Sequence, residues 1–115
     1  MEKRDADSLL APIIGQRVTE VVAGDEVITF RTDGGWRIAI YNASSLETAS
    51  AAPLTEENAR TLRGTRIVDI KTEPQFVAIT FDHPARLVID LRDEAYSGPE
   101  AMLITGPGEV ILAWN

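Results

Sequence analysis

The sequence predicts an α+β domain in which an internally duplicated unit, a short helix plus a three-stranded antiparallel meander, supplies the core. Three observations predict it. Apolar residues recur with period two through most of the chain. Short clusters of Gly, Pro, Asp and Asn punctuate those runs at hairpin spacing. The stretch from Gly15 to Val21 also has a counterpart from Gly64 to Ile70. We expect about eight strands and two short helices, arranged with pseudo-two-fold symmetry and completed by a C-terminal hairpin.

The duplication is read residue by residue. Gly15-Gln16-Arg17-Val18-Thr19-Glu20-Val21 lies over Gly64-Thr65-Arg66-Ile67-Val68-Asp69-Ile70 at an offset of 49. Two extra residues then move the offset to 51. This sets Ile28-Thr29-Phe30 over Ile79-Thr80-Phe81, and Trp36, Ile38 and Ile40 over Leu87, Ile89 and Leu91. The organisation expected is a flexible N-terminus at 1–7, repeat one at 8–41, a linker loop at 42–53, repeat two at 54–92, and an acidic insert with a terminal hairpin at 93–115. Half a chain of this length buries too little apolar surface to be stable alone, so the repeats are expected to share one core.

Repeat one opens with a helical segment between Asp7 and Gly15, shortened by Pro12. Its first strand has Val18 and Val21 three apart, as Ile67 and Ile70 are in repeat two. Strict alternation does not give that spacing, and a bulge or a bend at the strand's start does. Ile28 and Phe30 form one strand face; Trp36, Ile38 and Ile40 form another, across the turn Asp33-Gly34-Gly35. The linker from Asn42 to Pro53 is polar and rich in small residues. The second helix follows Pro53: Thr55 caps it, Glu56 and Glu57 face the positive end of its dipole, Glu56 and Arg60 stand four apart, and Gly64 supplies a left-handed end. Val77, Ile79 and Phe81 then face inward, as do Leu87, Ile89 and Leu91. Between them Asp82-His83-Pro84-Ala85 fits a loop wider than a two-residue turn. Ala101 to Thr105 and Val110 to Trp114 form the last hairpin around Gly106-Pro107-Gly108-Glu109.

Composition excludes several function classes. A chain of 115 residues has room for one domain and not for a large enzyme. It has no cysteine, and so no disulfide staple, thiolate zinc site or cysteine nucleophile. Eighteen acidic against 11 basic residues give a net charge of −7, which repels nucleic acid and anionic membrane surfaces. The apolar runs are strand-length, and the charged start leading to Pro12 lacks the features of a signal peptide, so a cytoplasmic protein is expected.

Residues able to carry chemistry are sparse. His83 stands alone in a turn, Ser44, Ser45, Ser50 and Ser97 have no paired base, and no phosphate-cradling glycine loop occurs. Asp90, Asp93 and Glu94 are close enough to offer oxygen ligands to a hard cation, but they match no ligand order of a calcium loop. We therefore expect no enzyme, no cofactor and no metal. Arg17 with Glu20, and Arg66 with Asp69, read as a structural salt bridge or as packing at the helix-to-strand corners.

The candidate interaction residues are Asp93, Glu94, Tyr96, Glu100 and Trp114. From Asp93 to Glu109 the chain carries Asp93, Glu94, Glu100 and Glu109 with no basic residue. Tyr96 joins an apolar ring to a polar tip in a loop on a rigid scaffold. Trp114 is read as either the last inward residue of its strand or an anchor at a partner surface, whereas Trp36 is read as core. The openings Ile14-Gly15-Gln16-Arg17-Val18 and Leu62-Arg63-Gly64-Thr65-Arg66-Ile67 resemble the starts of small uncharacterised bacterial domains. The ending Tyr96-Ser97-Gly98-Pro99-Glu100-Ala101 with Trp114-Asn115 is similar to theirs too. Some of these have been suggested as accessory or immunity-type proteins; the resemblance implies a bacterial, cytoplasmic setting and names no site residue.

The function expected is non-catalytic binding, with a protein of basic surface as partner. A small molecule or divalent cation in the cleft between the halves is the alternative, followed by a homo-oligomeric structural role. Because one chain already supplies two related halves, a monomer is favoured over a homodimer.

Overall fold

A computed structural model describes residues 8–115; the flexible N-terminus expected at 1–7 lies outside the described residues. The strands are β1 (Val18–Gly24), β2 (Val27–Thr32), β3 (Arg37–Ile40), β4 (Ser44–Glu47), β5 (Ala51–Pro53), β6 (Ile67–Thr72), β7 (Phe76–Phe81), β8 (Arg86–Asp90), β9 (Met102–Gly106) and β10 (Val110–Trp114). They form two antiparallel five-stranded sheets, ordered β1-β2-β3-β9-β10 and β5-β4-β8-β7-β6. Each sheet thus contains one meander whose strands are consecutive in the chain. To it is added a hairpin that follows the other meander: β4–β5 leaves β3 and pairs with β8, while β9–β10 leaves the segment after β8 and pairs with β3.

The alternation read from the sequence faces inward as expected. Phe30, Ile38 and Ile40 of the first meander are buried, as are Val77, Ile79, Phe81, Leu87 and Ile89 of the second. Together with Leu46, Met102, Ile104 and Leu112 from the hairpins, and Ile13, Ala59 and Leu62 from helical turns, they form one hydrophobic cluster. Each large side chain fully buried there contributes roughly 1.5–3 kcal/mol of transfer free energy. Trp36 is buried and Trp114 half-buried against this cluster.

The strand register corrects the sequence alignment. Val21 pairs Phe30 and Ile70 pairs Ile79; Ile28 pairs Ile40 and Val77 pairs Ile89; Phe30 pairs Ile38 and Ile79 pairs Leu87. Every one of these counterparts stands 49 residues on, so the offset does not move to 51. Trp36 accordingly occupies the position of Ala85 rather than Leu87, since the Thr32 and Phe81 N–H groups donate to Trp36 and Ala85. A slip of two residues leaves every side chain on its original face, so an alignment built on alternation cannot detect it.

Two further expectations are corrected. Residues 42–53 are not a loop alone, because β4 and β5 lie within them, which brings the strands to ten instead of eight. Nor is the terminal hairpin without a counterpart. Ser44 pairs Ile89 as Met102 pairs Ile40, and Leu46 pairs Leu87 as Ile104 pairs Ile38, an offset of 58. Only the nine residues by which 58 exceeds 49 are additional in the second half, and they fall in the segment after β8.

Helical structure precedes β1 and β6 as two short pieces, with single 3-10 turns at Asp93–Ala95 and Pro107–Glu109. The first ends as a 3-10 turn at Ala11–Ile13, with Pro12 inside it. The second is α1 (Glu56–Ala59), continued by a 3-10 turn at Arg60–Leu62. Thr55 caps α1 through a reciprocal box with Asn58, and Arg60 reaches Glu56 at 2.5 Å.

The sheets meet at the corners that open β1 and β6. Arg17 and Arg66 form an antiparallel bridge. The Val18 N–H donates to Thr65 and the Ile67 N–H to Gln16; Gly15 donates to Ile67 and Gly64 to Val18. The Arg17 guanidinium donates to the Gly64 carbonyl at 2.7 Å, and that of Arg66 to Gly15 at 2.6 Å. Positive φ at Gly15 (95°) and Gly64 (87°) turns those carbonyls toward the opposite arginine. Among the described residues neither arginine forms the expected ion pair with Glu20 or Asp69. Three-residue spacing along a bulged strand does not set the two side chains together, and the opposite carbonyl lies closer. The bulges themselves fall between Val18 and Glu20 and between Ile67 and Asp69.

Candidate functional site

The outer face of the second sheet holds a groove of about 690 Å³, lined by Ala43, Ser44, Ser45, Ala51, Ala52, Pro53, Gln75, Phe76, Val88, Asp90 and Arg92. Its floor follows from the register. Ser45 sits between Pro53 and Val88, and Val88 beside Ala78, so four small or medium side chains run across four strands. Phe76 stands over this low row, with the Arg86 guanidinium 5.8 Å from its ring centre.

Charged pairs close both ends. Arg86 bonds Glu47 at 3.0 Å on the β8–β4 side. At the other end Arg92 takes both carboxylate oxygens of Asp90, at 2.7 Å for the closest contact, and lies 3.5 Å from Glu94. The Arg92 side-chain hydrogen bond, and then its backbone N–H, hold the Asp90 carboxyl below the usual carboxylate range; the Asp90 bond in turn raises the Arg92 guanidinium. Asp93, between Arg92 and Glu94 in the chain, is exposed, so residues 90–94 carry three acids against one base.

The expected interaction residues therefore divide. Asp93 and Glu94 lie in a 3-10 turn (Asp93–Ala95) that begins directly after the groove-lining Arg92. The chain then runs along the end of β3: the Ala95 carbonyl accepts from Ala43, Ser97 donates to the Tyr41 carbonyl, and the Ala101 carbonyl accepts from Tyr41 and Asn42. Tyr96 is half-buried in this strap. At the far end, just after Glu100, the Ala101 N–H donates to the Trp114 carbonyl at 2.7 Å. Asp93 and Glu94 are thus separated from Glu100 and Trp114 by the length of the strap.

The remaining chemistry-bearing residues do not assemble. His83 is exposed in its turn. Among the described residues no three His, Asp or Glu side chains converge as metal ligands, and Asp90 is engaged by Arg92. Among the described residues no helix is long and apolar enough to cross a membrane. A second cleft of about 440 Å³ lies between the β1–β2 turn, the end of β3 and the start of α1, lined in part by Glu26, Tyr41, Asn42, Leu54 and Glu56. Glu26 takes a positive φ of 60° there. The buried Oδ1 of Asn42 has no donor among the described residues, while its amide nitrogen donates to the Asp90 carbonyl.

Sequence reasoning missed the groove's floor because Ser44, Ser45, Ala51 and Ala52 were assigned to a loop. The one signal was Leu46, a single large apolar residue between polar neighbours, whose counterpart 58 residues on, Ile104, is conspicuous in its own apolar run.

Compared with known proteins, the chain matches no family model, no curated protein and no solved structure.

Proposed function

We propose that this protein is a non-catalytic interaction domain that receives an extended segment of a basic partner protein in the groove of the second sheet. The observation that carries the reading is the groove's asymmetry: an apolar floor ending in Asp90 and Arg92, with Glu94 3.5 Å from that arginine and Asp93 between the two in the chain. Apolar contact supplies the affinity and the acidic end steers a Lys- or Arg-bearing chain to it.

The test is selection of displayed random peptides against the full chain. Selected peptides are expected to combine an apolar run with basic residues. Ser45→Arg, which fills the floor, should abolish their binding. Asp93→Asn with Glu94→Gln should slow association about two- to tenfold and flatten its salt dependence. Peptides without basic residues, or binding indifferent to Ser45→Arg, would sink the reading.

The same proposal covers the origin of the scaffold. The constant offset of 49 through both meanders, and of 58 between the hairpins, supports a duplication whose halves exchanged their hairpins about a pseudo-two-fold axis through the Arg17–Arg66 bridge.

A further inference from the structure

The two sheets leave four outer strands, β1, β10, β5 and β6. Three carry the devices that blunt an edge. In β1, Glu20 stands beside a bulge; in β6, Asp69 and Lys71 do; and β5 is three residues long and ends in Pro53. The β1 and β6 edges are moreover tied to each other at the corners. In contrast, β10 is Val110-Ile111-Leu112-Ala113-Trp114, five residues with no charge, no proline and an unbroken register against β9. Ile111 is 66% exposed, more than any other large apolar side chain among the described residues.

We propose that β10 pairs edge to edge with β10 of a second copy of this chain, antiparallel about Leu112, joining two five-stranded sheets into one of ten. The sequence of the strand is complementary to itself in this register. On the outer face Ile111 of each copy lies opposite Ala113 of the other, large against small. On the inner face Leu112 meets Leu112, and Val110 meets Trp114, extending the apolar core of both copies. No charged side chain of β10 is brought against its equivalent. A strand apolar on both faces needs a partner strand of the same kind, and β10 itself is one.

One strand pair buries less than the ~1,200 Å² of a stable interface, and two chains of charge −7 repel, so the dimer is weak and salt strengthens it. This behaviour is opposite in sign to that of the basic partner proposed for the groove, and the two readings stand or fall separately.

Sedimentation equilibrium of the full chain, at low and high salt and up to millimolar concentration, tests the proposal. The expected result is a monomer–dimer equilibrium that tightens with salt and that Ile111→Lys weakens about tenfold or more. The chain has no cysteine, so Ile111→Cys combined with Ala113→Cys should give a disulfide-linked dimer on mild oxidation, a reading of register that does not depend on the lysine variant. A chain monomeric at every concentration overturns the proposal. So does a dimer that Ile111→Lys leaves intact, or one whose cysteine variant stays unlinked.

Discussion

The two sheets share a backbone plan and differ in how they use it. In each, a meander of consecutive strands accepts a hairpin that follows the other meander in the chain, with Asp33 and Asp82 both accepting an N–H from the arginine that opens the sheet, at 3.1 and 2.9 Å. The hairpins are where they part. β4–β5 is small, polar and short, so it leaves a groove on the outer face and a guarded edge. β9–β10 is longer and apolar, fills its share of the core and leaves an open edge. The comparison teaches that the meanders and corners, alike in the two sheets, hold the fold together, while the hairpins carry the surfaces that differ.

The largest expected effect tests how each sheet fills its end. Trp36 in the first sheet stands where Ala85 stands in the second, and Gly106 makes room for it: a Cβ on Gly106 would come within 2.6 Å of the indole ring. Gly106→Ala should cost about 1–3 kcal/mol in denaturant unfolding, and most of that loss should vanish in a Trp36→Leu background. Additive losses would break the pairing of large residue with missing side chain.

Reciprocity at the corner predicts a smaller, matched effect. Arg17→Ala and Arg66→Ala each remove one guanidinium bond to the opposite glycine carbonyl. Each should cost about 0.5–1.5 kcal/mol, with the two values alike and the double variant not additive. Losses differing several-fold would show that the corners are alike in geometry only.

The smallest effect is in acid. The Asp82 carboxyl is held below its ordinary 3.8, chiefly by the backbone N–H of Arg66 and further by the His83 N–H and the charges of Arg17 and Arg66, against desolvation. A folded-state value below the unfolded one makes this contribution complete above pH 3.8 and lost as pH falls through the lower folded value. Asp82→Asn should therefore lower stability at neutral pH and flatten the acid limb of the pH–stability curve, as followed by thermal unfolding. An unchanged limb would place the acid sensitivity elsewhere, with Asp90 and its Arg92 partner the next group to substitute.

Six strands of the meanders and the two of the terminal hairpin were legible because alternating apolar residues admit one inward face. The Thr55 cap, the Asp33-Gly34-Gly35 turn and the bulges at Val18 and Ile67 were legible for the same local reason: neighbouring residues alone decide them. Strands β4 and β5 were not. Ser44, Ser45, Ala51 and Ala52 have little strand preference of their own, and the pairing edge of β8 imposes it. The groove was hidden with them. Of the candidate site only the acidic segment after Asp90 was found from charge, and nothing in the chain order put Asp90 opposite Phe76.

By itself, then, the sequence determined the strand pattern and the corner motif that recurs, since periodicity and turn chemistry act over a few residues. The tertiary structure alone decided the offset of 49 throughout, the exchange of hairpins between sheets, and which edge stays open. Alternation is blind to a slip of two residues, and a hairpin can satisfy its own backbone on either sheet. Only the competition for one shared core selects the sheet that each hairpin joins.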